Sequence, residues 1–210
     1  MALVCPTILA KDLSTYQAQL KRVKGLAKRV QIDLTDGVFA PTKTVSLEEI
    51  SWPPGLLVDL HLMYQDPTKW MRQIVQAKVH MVIVHAEADG NFVAFAKILR
   101  KLKVKVGVAL LPETPASAIK PALEYIDHVL IFSGELGKFG GTADLNLLIK
   151  AQALKQLKPS LEIGWDGGVN ENNIHLLAAG GIDVLNVGGA IQKASNPAAA
   201  YATLKKKLGK

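Results

Sequence analysis

Short apolar runs rich in β-branched residues recur along the whole chain, at Leu3–Leu9, Val30–Leu34, Leu57–His61, Met81–His85, Val104–Leu110, His128–Phe132, Leu161–Trp165 and Val184–Val187. Apolar on consecutive positions rather than alternate ones, they read as strands covered on both faces, the condition of a parallel sheet. Segments of helical period lie between them, at Leu13–Leu26, Pro67–Gln76, Asn91–Leu102, Pro115–Leu123, Leu145–Leu157, Glu171–Ala179 and Pro197–Leu208. Asp66-Pro67, Thr114-Pro115 and Asn196-Pro197 each place a capping side chain before a proline suited to a first helical turn. The connection after the second run is the weakest, with only a short helical candidate at Leu47–Ile50. Eight strand–helix alternations predict an α/β fold, a single-domain (β/α)8 barrel of the TIM type over residues 1–210. A doubly wound open sheet is the alternative, but its Gly-x-Gly-x-x-Gly turn is missing after the first run.

Composition narrows the function class. The 210 residues are 49% hydrophobic and 20% charged, with no linker or low-complexity stretch to divide them. The apolar runs are too short and too often interrupted to cross a bilayer, so no membrane partner is expected. Met1–Leu9 lacks the pattern of an export signal and Cys5 has no partner for a disulfide, which fits a reducing cytosol. The net charge of +7 raises the question of nucleic acid. Its distribution argues otherwise: Lys101, Lys103 and Lys105 flank a strand start, Lys205, Lys206, Lys207 and Lys210 end the last helix, and no aromatic residues are interleaved with them. Attraction of a small anion is the remaining consequence.

Two aspartates close strand candidates, Asp33 in Val-Gln-Ile-Asp-Leu-Thr-Asp-Gly and Asp166 in Ile-Gly-Trp-Asp-Gly-Gly. Carboxyl ends of barrel strands ring the cavity where these folds keep their chemistry, so both acids are expected to face one site as acid and base. Gly167 and Gly168 follow the seventh run, and Gly188 and Gly189 the eighth. Those two loops are where barrels hold phosphate on bare backbone amides. A further cluster, Gly134, Gly137, Gly140 and Gly141, predicts a mobile cover. Blander roles fall to Asp36, a loop organiser before Gly37, and to His85, a core histidine oriented by Glu87.

The chain resembles the ribulose-phosphate 3-epimerase family. The resemblance is carried by Cys5-Pro6-Thr7-Ile8-Leu9, by Ile32-Asp33-Leu34-Thr35-Asp36-Gly37 running on to Phe39 and Pro41, and by Val58-Asp59-Leu60-His61-Leu62-Met63 with Asp66-Pro67. Val84-His85-Ala86-Glu87, Phe139-Gly140-Gly141, Asp166-Gly167-Gly168-Val169-Asn170 and Val187-Gly188-Gly189-Ala190-Ile191 continue it in family order. It implies inversion at carbon 3 of a ketose phosphate, D-ribulose 5-phosphate to D-xylulose 5-phosphate, with Asp33 and Asp166 exchanging protons through an enediolate. It also implies a divalent metal (Zn, Fe, Mn, Co or Mg) on Asp33, His61 and Asp166, with Gln31 at the position of the fourth ligand. Thr7, His61, Met63, Gly140, Gly141, Gly167, Gly168, Gly188 and Gly189 are the substrate-binding positions, the substrate is a phosphorylated sugar, and the assembly is a homo-oligomer to which Trp52, Trp70 or Phe92 could contribute.

Three departures bear on these expectations. Gln31 stands where the family has a ligating histidine, and a carboxamide oxygen is the weaker, harder donor, so metal is held weakly or not at all. The strand-six loop, Gly134-Glu135-Leu136-Gly137-Lys138-Phe139-Gly140-Gly141-Thr142, is one residue longer than the family pattern and lacks its proline. Thr7 replaces a serine but keeps the hydroxyl. They leave open a phosphate-binding barrel with no catalysis, or with other chemistry. An aldol or decarboxylating branch would carry an Asp-x-Lys-x-x-Asp pattern on strand two, and Asp33-Leu34-Thr35-Asp36 lacks the lysine.

Overall fold

The computed structural model describes residues 2–209. Eight parallel strands close into a barrel in sequence order: β1 (Leu3–Leu9), β2 (Arg29–Thr35), β3 (Leu57–Met63), β4 (Met81–His85), β5 (Lys105–Leu110), β6 (His128–Phe132), β7 (Glu162–Asp166) and β8 (Val184–Val187), with β8 pairing back to β1. Around them run α1 (Leu13–Val23), α2 (Met71–Ala77), α3 (Phe92–Lys101), α4 (Leu148–Leu157), α5 (Ile174–Ala179), α6 (Gly189–Gln192) and α7 (Pro197–Leu208). The predicted (β/α)8 barrel is the observed one.

The helical expectations need correction at several points. No helix follows β2: Leu47 to Glu49 form a turn, although Leu47 and Ile50 are buried against the outer core as a helix would have been. The segment expected at Pro115–Leu123 is a 3₁₀ turn over Ala116–Ala122, because Pro121 has no N–H to give and its ring opposes the carbonyl four residues back. Short 3₁₀ turns over Pro67–Trp70 and Leu145–Leu147 precede α2 and α4. α1 stops at Val23, short of Leu26, where the chain enters the left-handed region at Gly25 (φ +79°). α5 begins at Ile174 rather than Glu171, and α6 has no counterpart in the sequence reading.

Alternate strand residues divide the core. Outward residues such as Ile8, Ile32, Leu60, Val82, Val108, Ile131, Trp165 and Leu185 join the helices in one large apolar layer. The inward residues stack in three storeys. At the amino rim, Arg29 Nε donates to Asp59 Oδ2 (2.6 Å), and its two terminal nitrogens donate to Glu162 Oε1 and Oε2 (2.8 and 2.7 Å), closing the barrel with a forked ion pair. Met81, Ile83, Ala109 and Leu130 form a dry middle. Above it the interior turns polar, and the site begins there.

Candidate active site

The polar storey is built from strand positions, so its side chains are aimed by backbone that the barrel fixes. Asp33 and His61 are register partners on β2 and β3, and Asp166 is the last residue of β7. Asp33 is 6% exposed and His61 is fully enclosed. His61 Nδ1 lies 3.0 Å from Asp33 Oδ1 and 3.9 Å from Asp166 Oδ2. One ligating atom from each of the three falls within 4.8 Å of the others. Asp33 and Asp166 thus meet at one cavity, as their strand-end positions require. It has a volume of about 220 Å3 and is lined from below by Thr7, Asp33, Met63, Phe132, Asp166 and Asn186.

Gln31 holds the two acids together. Its Nε2 donates to Asp33 Oδ1 (2.7 Å) and Asp166 Oδ2 (2.5 Å), while Oε1 is buried with no partner among the described residues. Burial raises both carboxyl groups, each to about 7, with the charge of Asp33 adding to the rise at Asp166 and hydrogen bonds from Gln31 opposing it at both. Burial lowers His61 and His85 to about 4, so both imidazoles are neutral at pH 7.

A chain of contacts sets the tautomers. His61 Nε2 lies 2.9 Å from His85 Nε2, and His85 Nδ1 lies 3.4 Å from Glu87 Oε2. Burial raises Glu87, but contacts with His85, Thr114 and the Leu111 N–H outweigh it and hold the group at about 2. An ionised Glu87 favours the proton on His85 Nδ1, which leaves His85 Nε2 to accept from His61 Nε2–H. His61 Nδ1 then turns its lone pair toward the acids, ready for a protonated Asp33 or a cation. The sequence places His85 in the core, oriented by Glu87 two residues past the end of β4, but does not show its contact with His61.

The glycine loops complete the rim. Gly167 (φ +112°) and Gly168 (φ +70°) occupy backbone that side chains avoid, and a Cβ on either would strike the main chain of the β6 loop. Gly140, Gly141, Gly188 and Gly189 also line the cavity, beside Phe139 and Lys193. Within the cover, Lys138 pairs with Glu135 at 2.6 Å. Asp36 organises the neighbouring loop by accepting from the backbone N–H groups of Val38, Phe39 and Gln65. Lys193 and Asn186 were not foreseen; an asparagine inside the apolar Val184–Val187 run was the visible clue to the second. Trp52, Trp70 and Phe92 are half-buried against the main core.

The chain matches the family model described as "Ribulose-phosphate 3 epimerase family" over residues 3–192. It belongs to the ribulose-phosphate 3-epimerase family. Ribulose-phosphate 3-epimerase from Mycobacterium bovis is 32% identical over 215 residues, covering 99% of this chain and 93% of that protein. The enzyme of the same name from Aquifex aeolicus is 33% identical over 199 residues, covering 91% and 90%. Among solved structures, 3-hexulose-6-phosphate synthase from Salmonella typhimurium superposes with a TM-score of 0.72 at 16% identity, covering 98% and 97%, and shares the fold. The family is one of isomerases, and its membership makes this chain a phosphosugar epimerase by class. No helix among the described residues is long and apolar enough to cross a membrane.

Proposed function

We propose that the chain inverts carbon 3 of a ketopentose 5-phosphate, interconverting D-ribulose 5-phosphate and D-xylulose 5-phosphate. The observation that carries this reading is the pair Asp33, buried, and Asp166, half-buried, which meet at one cavity and are both raised toward neutrality. Near pH 7 such a pair can hold one proton on one member and none on the other, which is the asymmetry an epimerase needs. The ionised member takes the proton from carbon 3. The other returns its own proton to the opposite face of the enediolate, and for the reverse reaction they exchange roles. The Gln31 amide keeps the two at a fixed spacing, and His61 Nδ1 accepts from Asp33 while that acid holds the proton. The Gly167–Gly168 and Gly188–Gly189 loops take the phosphate, with Lys193 as the cation at that end.

Asp33, His61 and Asp166 suit a divalent cation. Their ligating atoms converge, the tautomer of His61 points a lone pair at them, and a half-turn of the Gln31 carboxamide would bring its unpartnered Oε1 to the same place. When bound, the ion supplies a Lewis acid for the enediolate oxygen. Incubation with D-ribulose 5-phosphate in heavy water tests the reading: deuterium should appear on carbon 3 of substrate and product. Phosphate-dependent binding with no exchange, with or without added metal, would leave the non-catalytic barrel as the correct account.

A further inference from the structure

Asn186 has no assigned role, yet it is the least comfortable side chain in the barrel. It is 3% exposed, and both Nδ2 and Oδ1 lack a hydrogen-bond partner among the described residues. Its neighbours Leu185 and Val187 face the outer core, so strand alternation turns Asn186 inward, and it lines the cavity. Leaving one buried polar atom unpaired costs about 1–3 kcal/mol, and a carboxamide leaves two. An apolar residue of similar size would remove that cost. The group makes physical sense if a ligand completes it.

Its place in the register says which part of the ligand. Asn186 is the direct partner of Asp166 across β7 and β8, and Gly188 follows two residues later. Its head therefore lies between the acid that works on carbon 3 and the loop that takes the phosphate on carbon 5. Of the sugar's hydroxyl groups, only that on carbon 4 falls in that interval. A hydroxyl is both donor and acceptor, matching a carboxamide that has one of each to spare. We infer that Asn186 is a specificity-determining residue that reads the carbon-4 hydroxyl, Nδ2 donating to its oxygen and Oδ1 accepting its proton. This rests on the epimerase reading above.

The test compares D-ribulose 5-phosphate with its 4-deoxy analogue in wild type and Asn186→Leu, following carbon-3 deuterium exchange. Wild type should favour the natural substrate in kcat/KM by about 100-fold or more, since a site built for a hydroxyl rejects its absence strongly. Asn186→Leu should bring that ratio within about 10-fold, mainly through KM, and its ligand-free melting temperature should equal or exceed that of wild type. An unchanged ratio in a folded variant overturns the inference. Should the leucine variant fail to fold, Asn186→Ala carries the same substrate comparison. Absence of exchange in wild type strikes the epimerase reading instead, so the two failures are distinct.

Discussion

Asp33 and Asp166 form one desolvated cluster whose ionisation works against stability. Asp166 has its folded pKa raised from 3.8 to about 7, so the stability of its protonated form is complete below pH 3.8 and is lost as pH rises through about 7. Above that, the native state carries a buried carboxylate beside another one. Asp166→Asn keeps the shape and removes the charge. The variant should lose about 10²–10⁴-fold in carbon-3 exchange yet melt higher than wild type at pH 8, and a lower melting temperature there would contradict the buried-charge account. Gln31 is the second residue with a sharp expectation. Its NH2 bridges the acids in the ion-free arrangement, so an ion must turn the carboxamide over before Oε1 can ligate. Gln31→His should raise the equilibrium content of Zn or Mn per chain, measured after dialysis, and equal content in both proteins would place residue 31 outside any metal shell.

At the scale of elements, the proposed phosphate end of the cavity is built from two glycine turns and the short α6, whose C-cap is Lys193. Lys193 is exposed at the cavity mouth, so the proposed function gives it a part in binding rather than in the proton steps. Lys193→Ala should raise KM roughly tenfold with kcat nearly unchanged, in line with the loss of one charge-assisted hydrogen bond. A fall in kcat with constant KM would assign it to the chemistry instead. The same elements show what the sequence made legible. Strands were readable because burial on both faces writes itself as continuous apolar runs, and β1, β4, β6 and β8 have the bounds those runs predict. Asp33 and Asp166 were readable because strand ends face the cavity. Helical form was less so: Pro121 turns a helical pattern into a 3₁₀ turn, and the stretch after β2 covers the barrel without regular hydrogen bonding. The role of Asn186 and the His61–His85 contact were hidden for another reason. Their meaning lies in which strands stand side by side, and a periodicity along one strand does not report that.

For the whole molecule, the cavity and the Arg29 ion-pair network occupy opposite ends of one barrel. The polar storey at the carboxyl rim carries unpaired amide atoms and raised carboxyls, whereas the charged groups of the amino rim are paired: Arg29 spans Asp59 and Glu162, His80 meets Asp59 at 2.7 Å, and His128 meets Glu162 at 2.8 Å. Burial raises Glu162, but the hydrogen bonds and charges of Arg29 and His128 overcome it and hold the group well below the usual range. Its contribution to stability is therefore present above the unfolded pKa of 4.5 and is lost as pH falls toward the folded value. Arg29→Met would leave Asp59 to His80 and Glu162 to His128 and remove the cation the two carboxylates share, at a cost of about 3 kcal/mol in urea unfolding at pH 7. The deficit should shrink below pH 4.5, where the unfolded chain binds the proton that wild-type Glu162 refuses. Carbon-3 exchange per folded molecule at about 25 °C should hold steady, because the apolar layer of Met81, Ile83, Ala109 and Leu130 separates the ion pair from the acids. A variant as stable as wild type would show that the fork contributes nothing net, and one that is stable but slow would show that the two rims are coupled through the dry layer.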